Sequence, residues 1–186
     1  VYDVNMNRPY HHGDLKRALI DQATNLIRAG EEPALRRLAA DVGVSPSAAY
    51  RHFADHSALL DEVAANWLDS LGQQMAGSDA GSEDDGLLAV CLTYLKTAVA
   101  DPQLFRLASG PHGFGRPGGV VNTGPSGPLP QQRFLRLAHP AVAERAWIAT
   151  HGLAVLTVDG PYTPEDASRL LAPLVTAIES GLKSRG

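Results

Sequence analysis

Cysteine is almost absent from this chain of 186 residues: Cys91 stands alone, so no internal disulfide can form and a zinc site built on clustered thiolates is excluded. Cys91 lies in an apolar run and reads as a buried core thiol. Long hydrophobic runs are missing too. No stretch reaches the roughly 18–20 uncharged apolar residues of a membrane span, and the opening VYDVNMNRPYHHGDLKR lacks the apolar core of a secretory signal. The expectation is a soluble, cytoplasmic protein with no membrane partner. An excess of positive charge is also lacking, since 16 Lys and Arg face 20 Asp and Glu for a net charge of −4. That balance excludes a protein that coats nucleic acid through a basic surface, so any DNA contact must be local. Catalytic signatures are missing as well. No Ser/His/Asp order, phosphate loop after a strand, or paired-carboxylate context appears, so the chain reads as a non-enzyme without a cofactor. His11, His12, His52 and His56 have no ordered carboxylate or cysteine company, and no metal site is expected.

What is present is helical periodicity. With 44% hydrophobic side chains the chain can bury a sizeable core. Leu15, Leu19, Ala23, Leu26 and Ile27 recur at helical spacing over 14–29, with Gly30 placed to end that helix. Leu35, Leu38, Ala39 and Val42 mark a short second helix opened by Pro33 and closed by Gly43, and Ser45-Pro46 starts a third. Asp55 caps a long fourth helix carrying Leu60, Val63, Ala64, Trp67, Leu68, Leu71 and Met75. Residues 77–86, rich in Gly, Ser and acids, read as a linker, followed by helices over 87–100 and from Pro102 to about Ser109. The Gly/Pro-rich 110–130 reads as a mobile loop, followed by a helix to about Ala138. Another helix runs from Pro140 to Asp159-Gly160. The last is capped by Thr163, with Pro164 at its first position and Pro173 expected to kink it. No β pattern appears. The expected fold is all-α with about nine helices, divided into a head (9–56) and a body (57–186).

Residues 34–53, ALRRLAADVGVSPSAAYRHF, have the spacing of a helix-turn-helix. Leu38, Ala39, Val42, Val44, Ala49 and Phe53 supply apolar contacts that clamp two short helices at a steep angle, and Gly43 permits the positive φ of the turn. With those positions inward, Arg36 and Arg37 point outward on the first helix, and Ser47, Ala48, Tyr50 and Arg51 do so on the second. Such a face fits a DNA major groove, with Arg51 suited to a base edge or phosphate and the Tyr50 hydroxyl to a phosphate. Ser45, His52 and His56 complete the candidate DNA-contacting set.

This stretch resembles the tetracycline-repressor-like (TetR/AcrR) family of transcription regulators: Leu38-Ala39, Gly43-Val44-Ser45, Tyr50, Phe53 and Leu59 stand where that family has its pattern. Tyr10–Ala23 is similar to the first helix of many members. Ala146-Trp147 followed by His151-Gly152-Leu153 resembles the Trp…His-Gly signature of one C-terminal subgroup. Two positions depart from the pattern: Ala34 replaces a usual threonine and His56 a usual lysine, both commonly phosphate-touching, which lowers expected affinity without altering groove geometry.

The resemblance implies a homodimer on a palindromic operator in double-stranded DNA, acting as a repressor released by a small apolar effector. For that effector the candidate lining is Trp67, Leu71, Cys91, Tyr94, Phe105, Trp147 and His151, although core packing explains aromatic residues on separate helices equally well. His151 has a second reading as a satisfied core hydrogen-bonding group. The dimer seam is expected on the last two helices, whose apolar residues exceed the needs of one core contact: Ala149, Leu153 and Leu156 on one, Leu170, Leu171, Leu174, Val175 and Ile178 on the other. A helical small-molecule-binding or catalytic protein with a vestigial helix-turn-helix is the alternative.

Overall fold

The computed structural model describes residues 12–78, 86–113 and 140–183. Among them every regular element is helical, in the order α1 (His12–Arg28), α2 (Leu35–Asp41), α3 (Pro46–Tyr50), α4 (His56–Ser78), α5 (Gly86–Ala100), α6 (Pro102–Ser109), α7 (Pro140–Val158) and α8 (Pro164–Lys183). The fold is all-α, as the periodicity requires. Residues 114–130 of the loop expected over 110–130 and the helix ending near Ala138 lie outside the described residues, as does most of the expected linker. The chain divides into two compact units, Val1–Val63 and Ala64–Gly186, with the division inside α4.

In the first unit α1 packs against α2 and α3, and α2 against α3. Leu15, Leu19, Ile20, Ala23 and Leu26 of α1 are buried with Leu35, Leu38, Ala39, Ala49 and Phe53. Two helix ends use the same device. Gly30 (φ +76°) lets its own N–H reach the Ile27 carbonyl at 2.9 Å and the Glu31 N–H reach that of Leu26 at 2.8 Å. Gly43 (φ +74°) does likewise toward Ala40 and, through the Val44 N–H, Ala39. Both satisfy the last carbonyls of a helix in a conformation that glycine adopts without strain. Pro33 does not open α2 itself: it is buried two residues before the first helical position, and Ala34 is the cap. Asp55 caps α4, its Oδ1 accepting from the Ala58 N–H at 2.8 Å. Lys16 Nζ donates to Glu62 at 2.8 Å and sits 5.9 Å from the Phe53 ring centre, tying α1 to the first turns of α4 beside that core ring.

In the second unit α5 is central, packed on α6, α7 and α8, and α7 packs on α8. Leu87, Val90, Cys91, Tyr94, Leu95 and Ala98 of α5 are buried, with Leu104, Phe105 and Ala108 of α6. The α8 start is a reciprocal capping box: the Asp166 N–H donates to Thr163 Oγ1 at 3.1 Å, and the Thr163 N–H reaches Asp166 Oδ2 at 3.4 Å. α8 continues through Pro173. Its buried stripe, Ala167, Leu171 and Val175, is narrow. Arg106 of α6 donates to Asp159 at 2.5 Å and to the Val158 carbonyl at 3.1 Å, covering the C-terminal end of α7.

Candidate nucleic-acid interface and aromatic cluster

The turn between α2 and α3 rests on four fully or nearly fully buried side chains, Leu38, Ala39, Ala49 and Phe53. Their packing fixes what faces outward. Arg36, Arg37, Ser45, Ser47, Tyr50 and Arg51 are exposed, and Ala48, His52 and His56 are half-buried. The Ser45 and Ser47 hydroxyls lie 3.0 Å apart across the first turn of α3. Ser45 therefore caps α3 by its backbone position, with Pro46 at the first helical position, and its side chain makes no cap bond. Arg37 is committed within the chain: its guanidinium meets Glu31 at 2.6 Å and Asp41 at 3.8 Å. Arg36, its neighbour, faces a cleft of about 280 Å³ lined by Glu32, Ala34, Leu35, Arg36, Tyr50 and His56. His56 Nε2 is buried there without a hydrogen-bond partner.

This cleft gathers four of the positions singled out in the sequence, and it adds Glu32 and Leu35, which sequence reasoning missed. Leu35 is recognisable only as a core residue, and Glu32 precedes a helix whose start was placed elsewhere. A phenol, an imidazole nitrogen and a guanidinium converging on one concave surface suit a phosphate oxygen. Glu32 opposes that charge and limits how deeply an anion can settle.

Five of the seven candidate effector residues meet in the second unit. Tyr94 is edge-on to Trp147 (5.2 Å between ring centres, 80°) and to Phe105 (6.3 Å, 84°), and Trp67 is edge-on to Phe105 (6.3 Å, 65°). His151 stacks on Trp147 (5.4 Å, 20°) one helical turn away and lies 5.7 Å from Phe105. The Tyr94 hydroxyl and His151 Nδ1 are 2.8 Å apart. Burial raises the Tyr94 phenol far above its ordinary range and lowers the His151 imidazole, so both are neutral near pH 7. With the phenol as the donor, His151 carries its proton on Nε2.

Leu71 is fully buried on α4. Cys91 is also fully buried: burial pushes its thiol up to about 11, with the Thr150 hydroxyl offsetting part of the rise and the Glu179 carboxylate adding to it. It is an unreactive thiol. Thr150 and Glu179 come from α7 and α8, so their relation to Cys91 is invisible in sequence.

The residues expected at a dimer seam fall into two groups. Leu153, Leu171 and Val175 are buried within the chain's own core, which corrects their assignment to an outer face. Leu156, Leu170 and Leu174 are exposed, and Ala149 and Ile178 are half-buried. Ile148 (61% exposed) and Tyr162 (38%) join the outward set and were not anticipated. Ile148 stands eight residues before Leu156 on a helix with few charged residues, and that spacing is a usable signal.

No helix among the described residues is long and apolar enough to cross a membrane, and no group of three or more His, Cys, Asp and Glu among them could hold a metal ion. No family model and no curated protein matches the sequence. Among solved structures the chain is similar to a protein with unknown function from Rhodococcus sp. RHA1. The two share 25% sequence identity and a TM-score of 0.72, covering 92% of this chain and 98% of that one. The likeness extends over both units and carries no activity with it.

Proposed function

We propose that the chain is a DNA-binding transcription regulator of the tetracycline-repressor type, acting as a homodimer and released from its operator by a small apolar effector. One observation carries the reading: α2, the Gly43 turn and α3 form a two-helix unit whose buried side is Leu38, Ala39, Ala49 and Phe53 and whose open side presents Ser47, Tyr50 and Arg51. A short helix displayed in this way suits the major groove, with Arg51 reading a base edge while Tyr50, Arg36 and His56 hold the adjacent phosphate at their cleft. Arg37, bound to Glu31 and Asp41, has a lesser part.

A head of this size reads too few base pairs alone, so two copies sit on half-sites about one helical turn apart. The outward apolar side chains support that assembly. Apart from Tyr50, the large hydrophobic residues most exposed among those described are Ile148, Leu156, Tyr162, Leu170 and Leu174, all on α7, α8 or their connection. The effector reading rests on the aromatic cluster. A ligand there acts on DNA affinity only through a difference in its binding to two states, and α4 carries Trp67 in the second unit while beginning at His56 in the first.

The test is a titration of operator and scrambled duplexes with wild type, Arg51→Ala and Leu174→Asp. Arg51→Ala costs ~1–3 kcal/mol on operator and much less on scrambled DNA. Leu174→Asp sediments as a monomer with its helix content intact and loses operator binding, since a carboxylate at a closed seam has no partner. An equal loss on both duplexes removes the base-reading role of Arg51. Failure of the wild type to prefer any duplex favours the small-molecule-binding alternative.

A further inference from the structure

We propose that the cleft beside α3 holds a DNA phosphate together with a proton: His56 binds the phosphate as an imidazolium, so each head takes up a proton as it binds and grips DNA more tightly as the pH falls. This rests on reading the helix-turn-helix as a DNA-binding face and adds a regulation to its phosphate contact.

The cleft, about 280 Å³, is walled by Glu32 from the connection before α2, Ala34, Leu35 and Arg36 at the start of α2, Tyr50 at the end of α3 and His56 at the start of α4. All six belong to the first unit. The His56 ring is half-buried in that wall, and its Nε2, closed off from water, has no hydrogen-bond partner. A buried nitrogen left unpaired is costly, and a ligand oxygen arriving in the cleft relieves that cost. The ring turns about a soft torsion, so Nε2 meets such an oxygen while α4 stays in place. Arg36 is also available. Unlike Arg37, it stands clear of the ion pairs to Glu31 and Asp41.

Charge decides the protonation. The charged and titratable groups on the cleft are Glu32, Arg36, Tyr50 and His56, while Asp55, next to His56 in sequence, is turned into the α4 cap, its Oδ1 accepting from the Ala58 N–H at 2.8 Å. The Glu32 carboxylate and the Arg36 guanidinium cancel, so with a neutral imidazole the cleft has no net charge to offer an anion. An imidazolium makes it positive by one. While the cleft is empty Arg36 opposes that charge, whereas a phosphate favours it through a counter-charge and a charge-assisted hydrogen bond from Nε2. Binding and proton uptake are therefore linked. The contribution is present at low pH, where imidazoles are charged, and is lost as the pH rises; a phosphodiester keeps its charge throughout, so the imidazole is the group that titrates.

Phosphate contacts do not depend on sequence, so a fluorescein-labelled random duplex of about 20 base pairs in about 50 mM salt reports on the cleft. Its affinity is read by anisotropy at pH 6 and pH 8 for wild type, His56→Gln and His56→Lys. The ratio of wild-type to His56→Gln affinity cancels the other histidines of the first unit, His11, His12 and His52, which both proteins share. That ratio is expected to be at least fivefold larger at pH 6 than at pH 8. His56→Lys, permanently charged, should bind at least fivefold more tightly than wild type at pH 8 and vary less with pH. A ratio equal at the two pH values overturns the proposal. Should His56→Gln not fold, a pH dependence in His56→Lys as steep as that of wild type overturns it instead. Enrichment of duplexes from a random pool separates this proposal from the function it rests on. If the His56 ratio moves with pH and no duplex is preferred, the phosphate site stands and the regulator reading falls. If a duplex is preferred and the ratio does not move, the regulator reading stands and the proton link falls. Absence of binding to any duplex at pH 6 overturns both.

Discussion

In the first unit the side chains with chemical reach stand in solvent over a buried support: Ser47, Tyr50 and Arg51 lie outside, with Ala49 and Phe53 beneath. In the second unit the arrangement is inverted. Trp67, Tyr94 and Phe105 are inside, and the hydrogen bond from the buried Tyr94 reaches a half-buried His151 among the rings. The contrast teaches what each unit can recognise. A large, hydrated, charged partner is met by display, since its polar groups need donors on an open face. A small apolar ligand is met by enclosure, because removal from water supplies its affinity.

The largest test of this contrast is a pair of matched truncations. Phe53→Ala and Phe105→Ala each remove a nearly fully buried ring and are expected to cost ~3–5 kcal/mol, read from denaturant unfolding. Their functional losses should separate. Phe53→Ala is expected to abolish the proposed operator binding and to leave the fluorescence of Trp67 and Trp147, both in the second unit, in place, whereas Phe105→Ala perturbs that fluorescence and leaves sequence preference on DNA intact. If both variants lose both properties, the two units do not act as separate sites.

A smaller effect comes from Tyr94→Phe, which keeps the ring and leaves the His151 nitrogen without the phenol. The expected destabilisation is ~1–3 kcal/mol, the cost of a buried polar atom deprived of its partner. A variant as stable as wild type would mean that water already reaches His151 behind Trp147.

The smallest effects are those of acid, and they fall in two windows. The His151 imidazole is lowered by burial, so the folded state resists its protonation, and stability declines once the pH passes below the ordinary imidazole value of about 6.5. The Asp166 carboxylate is lowered first by Arg169, then by its bonds to Thr163. Its contribution is present above the ordinary carboxylate value of about 3.9 and is lost as the pH falls through the lower folded value. Thermal melts across pH should therefore lose the upper window in His151→Gln and the lower one in Asp166→Asn. Persistence of the upper window in His151→Gln assigns it to another group.

Local devices were legible before the fold was known. Gly30, Gly43, Asp55 and the Thr163/Asp166 box act within five residues of themselves, and each stands where its chemistry places it. The helix-turn-helix face was equally readable, because burying Leu38, Ala39, Ala49 and Phe53 leaves Ser47 and Arg51 no other direction. Relations between distant segments were not. α8 carries leucines on two sides, and only docking on α5 and α7 decides that Leu171 and Val175 go inward while Leu170 and Leu174 stay out. The engagement of Arg37 depends on Glu31, which Gly30 swings into reach across a turn. The five rings were named from composition and spacing, but that His151 would stack on Trp147 and bond Tyr94 depends on how α5 meets α7.

Under the proposed DNA-binding function, the ion pairs of the first unit would bear on how DNA is searched. Lys16 pairs with Glu62, and Arg37 with Glu31 and Asp41, so among the described arginines of the candidate interface Arg36 and Arg51 are the two that stand clear of these ion pairs. In the proposed dimer these two arginines of each chain would release about four condensed counterions, giving log K against log salt a slope of roughly −3 to −4 from the described interface. Random DNA, which attracts a protein through charge alone, retains such a molecule weakly. On the proposed function, the same economy of cations and the net charge of −4 per chain would keep the protein from being held up on the sequences that surround an operator.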